Sequence, residues 1–120
     1  MLSISKAYRY YLYKKATDMR NSFDGLSGLV TNEFLQNPLS GDVFVFINKR
    51  KNQIKLLNWQ GDGFAIFFKR LEKGTYELPE INCDSPCYEI TSQQLLLINE
   101  GIRLSSVRKR VRYQRMHVGK

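Results

Sequence analysis

The residue types that most often carry covalent or metal chemistry are scarce in this chain. Its 120 residues include only two cysteines, Cys83 and Cys87, and one histidine, His117. Two thiols cannot build a disulfide framework, and tetrahedral zinc needs about four ligands, which is more than these residues supply. The sequence therefore predicts reduced thiols, no metal site and no cofactor.

Long apolar runs are absent as well. No stretch approaches the roughly 20 residues that are needed to span a bilayer. Met1 to Tyr13 alternates Tyr with Lys and Arg, which makes it a poor signal peptide. We therefore expect a cytoplasmic protein with no membrane association.

The composition, 42% hydrophobic and 25% charged, is close to the globular average, and 120 residues suit one domain with one core.

Acidic residues are absent from residues 101 to 120. Seven of the 19 Lys and Arg residues lie there. The rest of the chain contains the other 12, together with all 11 Asp and Glu residues. We therefore divide the chain into a nearly neutral domain, residues 1–104, and a basic C-terminal arm, residues 105–120. The bases from residue 101 onward are Arg103, Arg108, Lys109, Arg110, Arg112, Arg115 and Lys120. Such an arm is a common footprint of phosphate binding, because each neutralised phosphate releases a condensed counterion. A solubilising tail is the alternative interpretation.

The first part of the chain predicts a strand followed by a helix. The tyrosine-rich segment from Tyr8 to Tyr13 indicates a strand. Thr17 and Asp18 offer an N-cap for a helix that runs from about Asp18 to Leu35. One apolar face of that helix repeats at steps of three and four residues: Phe23, Leu26, Val30 and Phe34.

Polar residues and glycines add detail to this predicted helix. Arg20 and Asp24 are spaced to pair as i and i+4. Gly25 and Gly28 each cost a helix about 1 kcal/mol relative to alanine, which suggests that another element or a partner approaches the helix closely.

Three consecutive strands predict an antiparallel meander. Val43 to Ile47 is an unbroken apolar run, typical of a central strand that is buried on both faces. Ile54 to Trp59 and Phe64 to Leu71 follow after short turns, which favour antiparallel pairing, because parallel pairing needs a long crossover. The phenylalanines of the third strand point to both faces, so helices must cover at least part of each. Lys73 to Glu89 reads as a loop.

A second helix is indicated after Thr91, which forms a capping-box pattern with Gln94, and it ends near Gly101. The elements together predict an α+β fold. We expect a single domain with an antiparallel or mixed sheet of about four strands, two helices and the basic C-terminal arm.

The turn between the first two strands of the meander is basic. It carries Lys49, Arg50 and Lys51, and Lys55 follows shortly after. Charges at a hairpin tip can reach a phosphate backbone without being buried, so we take these four residues as candidates for nucleic-acid contact. A solvated hairpin tip is the alternative interpretation. Trp59 fits either a base-stacking role or a place in the core.

Catalysis has little support in the sequence. The carboxylates that an enzyme would use are Asp18, Asp24, Asp42 and Asp62. Asp18 and Asp24 would not share a helix face, and Asp42 and Asp62 adjoin glycine turns, where Asp is a common turn former. The sequence contains no glycine-rich phosphate loop, nucleophile elbow or Cys and His pairing, so we expect no enzymatic activity.

Two long stretches resemble the TnpB accessory proteins of transposons of the insertion-sequence sixty-six family, which are unrelated to the RNA-guided nuclease of the same label. The stretches are ATDMRNSFDGLSGLV, from Ala16 to Val30, and NPLSGDVFVFINKRKNQIKLLNWQGDGFAIFFKRLEKGTYELP, from Asn37 to Pro79. The resemblance covers about Tyr8 to Leu104. The family's characteristic residues fall on Asp18, Met19, Arg20, Phe23, Asp24, Gly25, Gly41, Trp59, Gly61, Asp62, Gly63, Lys69 and Arg70.

The resemblance implies a non-catalytic protein that is encoded beside a DDE-type transposase and assists DNA transposition. Its expected partners are DNA, at transposon ends or of any sequence, and the transposase and other proteins of the same element; self-association into a homo-oligomer is left open. Two functions compete. One is nucleic-acid binding through the basic turn and the arm. The alternative is a protein adaptor for the transposase, with no direct DNA binding, that uses the helix carrying Gly25 and Gly28.

Overall fold

Five strands and two helices form an α+β fold in a computed structural model of the chain, which describes residues 4–79 and 84–99. In chain order the elements are β1 (Tyr10–Tyr13), α1 (Phe23–Asn32), β2 (Val43–Ile47), β3 (Gln53–Trp59), β4 (Phe64–Arg70), β5 (Cys87–Ile90) and α2 (Ser92–Asn99). The predicted fold class, with a mixed sheet and two helices, is confirmed. The predicted boundary at residue 104 and the basic arm, residues 105–120, lie outside the described residues.

The strands form one mixed sheet in the order β4-β3-β2-β1-β5. The meander is confirmed, because β2 pairs antiparallel with β3, and β3 pairs antiparallel with β4, across short turns. β1 pairs parallel with β2, since α1 and its flanking loops supply the long crossover that parallel pairing needs. β2 is therefore central, and all of its residues are buried.

β5 differs from the sequence prediction, which treats its residues as part of a loop. It pairs antiparallel with β1, from Tyr13 opposite Cys87 to Tyr10 opposite Ile90. A strand of four residues at the sheet edge is too short to show a clear alternation of apolar and polar residues in the sequence. Pairing with β1, distant in the sequence, decides its conformation instead.

Both faces of the sheet are covered by a hydrophobic layer, as the phenylalanines of β4 predict. The α1 layer contains the buried side chains Leu26, Val30, Phe34, Phe44, Phe46 and Leu57. The α2 layer contains the buried side chains Leu12, Val43, Val45, Leu56, Tyr76, Leu95 and Ile98. Because α1 has only ten residues, it covers one part of its sheet face and leaves the part near the β2–β3 turn open.

α1 is shorter than its apolar spacing predicts, since it spans Phe23–Asn32 and not the range from about Asp18 to Leu35. Leu35 has a φ of 55°, in the left-handed region, which ends the helical path. Three of the four residues on the predicted face are buried: Leu26, Val30 and Phe34. Phe23 is the exception, because at the first helical position it remains 44% exposed.

The segment before α1 is a turn and not the start of the helix. The Thr17 N–H donates to the carbonyl of Ile47 at 2.9 Å, so Thr17 is tied to the end of β2 and does not cap the helix. The Asp18 carboxylate is also engaged elsewhere, because Oδ2 accepts from Nη2 of Arg20 at 2.6 Å. Arg20 thus pairs with Asp18, and the expected pairing of Arg20 with Asp24 is wrong.

The capping box before α2 is confirmed. The Thr91 N–H donates to Oε1 of Gln94 (2.8 Å), and the Gln94 N–H donates to Oγ1 of Thr91 (3.0 Å). Thr91→Ala leaves one helix N–H without its cap, so we expect the free energy of unfolding, measured by urea denaturation, to fall by about 1 kcal/mol. Thr91→Ser keeps the hydroxyl and is the control. Equal losses in the two variants would contradict a capping role for the hydroxyl.

Candidate nucleic-acid interface

The turn between β2 and β3 presents three cations to solvent. The Asn48 side chain accepts hydrogen bonds from backbone N–H groups of this turn, so the turn needs no hydrogen bonds from its cationic side chains. Oδ1 of Asn48 accepts a hydrogen bond from the Asn52 N–H at 3.0 Å. Lys51 has a φ of 59° and donates its N–H to the Asn48 carbonyl at 3.0 Å. The side chains of Lys49, Arg50 and Lys51, which we call the basic turn, are exposed. None of them forms an ion pair among the described residues.

Lys55 does not lie at the hairpin tip, where the sequence interpretation groups it with the basic turn. It belongs to β3, and only 8% of its surface is exposed. Its Nζ donates to the carbonyl oxygens of Met19 (2.9 Å) and Asn21 (2.8 Å) and lies 5.0 Å from the centroid of the Phe68 ring. The Lys55 ammonium therefore holds the segment before α1 against the sheet.

That segment places another cation beside the basic turn. The bond from Thr17 to Ile47 fixes its beginning at the end of β2, and Lys55 fixes its end. The Arg20 guanidinium donates to both carboxylate oxygens of Asp18, from Nε at 3.1 and 3.0 Å and from Nη2 at 2.6 Å. The Arg20 side chain nevertheless stays 91% exposed. Arg20 is thus held in place without being removed from solvent.

An open cleft of about 660 Å³ lies between this segment and the basic turn, and we call it the basic cleft. Its lining includes Asp18, Met19 and Arg20 from the segment before α1, Lys49 and Arg50 from the basic turn, and Gln53 and Phe68 from the sheet. The Phe68 residue stays 52% exposed, because it lies on the part of the sheet face that α1 leaves open. The cleft therefore combines two cations that pair with no acid among the described residues, the ion pair of Arg20 with Asp18, and one exposed aromatic ring.

The ion pair of Asp18 with Arg20 in this cleft changes the pKa of the Asp18 carboxyl. Arg20 lowers the pKa of the Asp18 carboxyl from 3.8 to about 2, first through its side-chain hydrogen bonds and then through its backbone N–H. Because the folded pKa is the lower one, the pair stabilises the fold above the unfolded pKa, and this contribution is lost as the pH falls toward 2. We expect NMR of the Asp18 carboxyl carbon to show the low midpoint and Arg20→Gln to raise it. An unchanged midpoint in the variant would show that Arg20 is not the cause.

A family model described as IS66 Orf2 like protein matches residues 8–109 of the chain. The chain belongs to the IS66 Orf2-like family. The resemblance drawn from the sequence motifs is thereby confirmed. Membership makes the chain an accessory protein associated with the transposition of an insertion sequence, and it implies work alongside the element's transposase. The family is not known as a catalytic one.

Two curated relatives from Sinorhizobium fredii are similar over most of their length. Uncharacterized protein y4jC is 26% identical over 110 residues, which cover 92% of this chain and 92% of the relative. Uncharacterized protein y4hO is 30% identical over 102 residues, which cover 85% of this chain and 87% of the relative. No solved structure matches the chain. The similarity therefore extends through the whole described fold and not only through the motifs.

The motif residues of this IS66 Orf2-like protein form three groups, one at each end of the sheet and one on α1. Asp18, Met19 and Arg20 line the basic cleft. Lys69 and Arg70 end β4 on the same side of the molecule, since they lie opposite the first residues of β3. Arg70 also forms an ion pair with Glu72, at 3.2 Å. The structure therefore brings this group of motif residues near the basic turn.

The second group lies at the opposite end, where β2 begins and β3 meets β4. Its members are Gly41, Trp59, Gly61, Asp62 and Gly63. Gly41 and Gly61 have φ values of 92° and 94°, which favour glycine. Trp59 is half-buried and packs edge-on against Phe64, with 5.1 Å between ring centroids. Turn geometry accounts for Gly41 and Gly61, and packing accounts for Trp59. None of the five residues lines the basic cleft.

The remaining motif residues lie on α1: Phe23, Asp24 and Gly25. A Cβ at Gly25 would collide with Oδ1 of Asn21, a side chain of the preceding turn and not of another element. A Cβ at Gly28 would meet no described atom within 4 Å. Neither glycine therefore has another element of the described chain as its closest neighbour, and approach by a partner stays a prediction.

Several predicted residues lie outside the described part of the chain. These are Cys83, His117 and the arm bases Arg103, Arg108, Lys109, Arg110, Arg112 and Arg115. Within residues 4–79 and 84–99, no group of three or more His, Cys, Asp or Glu side chains is placed to hold a metal ion. Neither helix in that part is long and apolar enough to cross a membrane.

Sequence reasoning missed Phe68 as a lining residue and Lys55 as an anchor. The predicted meander could have linked these two residues, because antiparallel pairing of β3 with β4 places Lys55 directly opposite Phe68. A lysine between Ile54 and Leu56, in a strand that is otherwise apolar, also indicates a buried partner for its ammonium. The partners themselves, two backbone carbonyls, leave no trace in the residue types.

Proposed function

We propose that this protein is a non-catalytic accessory factor for DNA transposition that binds nucleic acid through the basic turn and the C-terminal arm while it assists a separately encoded transposase. The observation that carries the proposal is the basic turn itself, three exposed cations that pair with no acid among the described residues. Phosphate is the ligand that such exposed cations favour, because its binding releases condensed counterions.

The basic turn differs from the other charged surface of the described domain. Lys15 lies 3.6 Å from Glu33, Arg20 lies 2.6 Å from Asp18, and Arg70 lies 3.2 Å from Glu72, so acids accompany these bases. The three bases of the turn have no such acid among the described residues. Neighbouring like charges repel one another, and a polyanion that binds across them relieves this repulsion.

The C-terminal arm extends the same chemistry. Residues 105–120 contain six Lys or Arg residues and no acid. Each base that neutralises a phosphate adds about 0.9 to the slope of log affinity against log salt, so the arm and the turn together predict a steep salt dependence. Because the DNA of a bacterial element and its transposase are in the cytoplasm, we infer a cytoplasmic protein.

The proposal is tested by binding of the purified protein to labelled transposon-end DNA and to unrelated DNA across a salt series. We expect affinity to fall steeply with salt, and a variant with Gln at Arg108, Lys109, Arg110, Arg112 and Arg115 to show a shallower slope. A preference for transposon ends would add site recognition to the function. Absence of binding to either DNA at low salt would overturn the proposal.

A protein adaptor for the transposase is the second candidate function. Large apolar side chains are exposed at the start of α1 and in the loop after it: Phe23 (44%), Leu35 (82%) and Leu39 (50%). Leu35 and Leu39 belong to the same loop, and exposed large apolar side chains are candidate contacts with another protein. The adaptor predicts co-purification with transposase that survives nuclease treatment and that is lost in a Leu35→Ser, Leu39→Ser variant.

A further inference from the structure

Phe68 has an unusual setting for an exposed aromatic residue. It lies on the same sheet face as α1, yet 52% of its surface is exposed, and it lines the basic cleft. A single exposed apolar side chain is ordinary on a protein surface. What distinguishes Phe68 is that two exposed cations with no acidic partner among the described residues, Lys49 and Arg50, line the same cleft.

The Phe68 ring is held from one side. The Lys55 ammonium lies 5.0 Å from the ring centroid, at a distance typical of a cation–π contact. Lys55 is itself fixed by its hydrogen bonds to Met19 and Asn21, so the ring rests against a rigid support. The Phe68 residue is 52% exposed and lines the cleft, so part of its surface is available for stacking.

We propose that the basic cleft binds an unpaired nucleotide of single-stranded nucleic acid, with its base stacked on Phe68 and its flanking phosphates held by Lys49 and Arg50. This inference rests on the proposed function and narrows its ligand. Proteins that bind single strands combine these two features, a basic groove that follows the backbone and aromatic side chains on which bases stack.

A duplex does not fit the same chemistry. Bases in a duplex are stacked on one another, so their flat faces are hidden, and a protein reaches only their edges in the grooves. A ring in this cleft can stack only on a base that has left the helix.

Gln53 supplies a polar group at the same place. It lies on β3, on the same sheet face as Phe68, and it lines the cleft. Among the described residues its side chain has no hydrogen-bond partner. A side-chain amide can both donate to and accept from the edge of a base, whichever base is stacked. Gln53 therefore tolerates different bases, which suits binding with little sequence preference.

The test uses the full chain and two fluorescein-labelled probes of the same mixed sequence, a short single strand and the matching duplex. Fluorescence anisotropy gives both affinities for the wild type and for Phe68→Ala. We expect the single strand to bind more tightly than the duplex, and Phe68→Ala to weaken single-strand binding by about tenfold. The duplex affinity and the salt slope should stay unchanged, because the substitution removes no charge.

Two control variants separate stacking from general disturbance. Phe68→Tyr keeps an aromatic face and should bind the single strand as the wild type does. Phe23→Ala removes an exposed phenylalanine that does not line the cleft, and it should have no effect on either probe. A thermal melt of each variant confirms that the fold is intact.

The possible failures are distinguishable. If Phe68→Ala binds the single strand as tightly as the wild type does, while loss of the turn charges weakens both probes, the stacking inference is overturned and the proposed function stands. An equal loss of affinity for the single strand and the duplex in Phe68→Ala also overturns the stacking inference. If the wild type binds neither probe at low salt, both the inference and the proposed function fail.

Discussion

Lys55→Met is expected to lower the free energy of unfolding by about 2–4 kcal/mol while the salt slope of nucleic-acid binding stays the same. The Lys55 ammonium makes two charge-assisted hydrogen bonds, to Met19 O and Asn21 O, and each such bond contributes about 1.5–3 kcal/mol. Methionine keeps the length of the buried stem but cannot donate, so the two carbonyls lose their partner. Relief of the desolvation of the ammonium offsets part of the loss.

The matched control for this variant is Lys49→Met, which replaces an exposed lysine of the basic turn. Its free energy of unfolding should stay within about 0.5 kcal/mol of the wild type, because surface substitutions away from buried contacts have small effects. Urea denaturation gives both values, and a salt series gives both binding slopes. If Lys55→Met left stability unchanged and lowered the salt slope by about one, Lys55 would be a phosphate contact and not an anchor.

The parts of the fold that the sequence predicts are those decided by neighbouring residues. Val43 to Ile47 is recognisable as a central strand because its apolar run is unbroken, and the capping box before α2 needs only Thr91 and Gln94. The start of α1 is different. Helical spacing continues back toward Asp18, but bonds from Lys55 and to the Ile47 carbonyl hold that segment as a turn. These partners are distant in the sequence, so periodicity does not reveal them.

The same distinction divides the candidate site. The basic turn is visible in the sequence because its three cations are consecutive and Asn48 and Asn52 indicate a turn. The basic cleft is not visible, because it joins segments far apart in the chain: residues 16–20, the basic turn with Gln53, and Phe68. Phe68 becomes part of it only through the register of β4 against β3 and through the shortness of α1.

Lys49→Gln combined with Arg50→Gln is expected to weaken nucleic-acid binding on the order of 50-fold at about 0.1 M salt and to lower the salt slope by about two. The estimate assumes one phosphate contact for each side chain, and each contact contributes about 0.9 to the slope. Both side chains are exposed and pair with no acid in the described part of the chain, so the free energy of unfolding should change by less than about 0.5 kcal/mol. Fluorescence anisotropy across a salt series measures the slope.

A matched control decides whether position or net charge is responsible. Lys6→Gln combined with Arg9→Gln also removes one lysine and one arginine, and both of these side chains are exposed. They lie at the opposite end of the sheet, because the Arg9 carbonyl accepts from the Val43 N–H at the start of β2, whereas the basic turn follows the end of β2. If the nucleic acid contacts the basic cleft, this control variant should bind it with nearly the affinity of the wild type. Equal losses in the two double variants would mean that total charge alone attracts the nucleic acid, and the basic turn would then have no special part in binding.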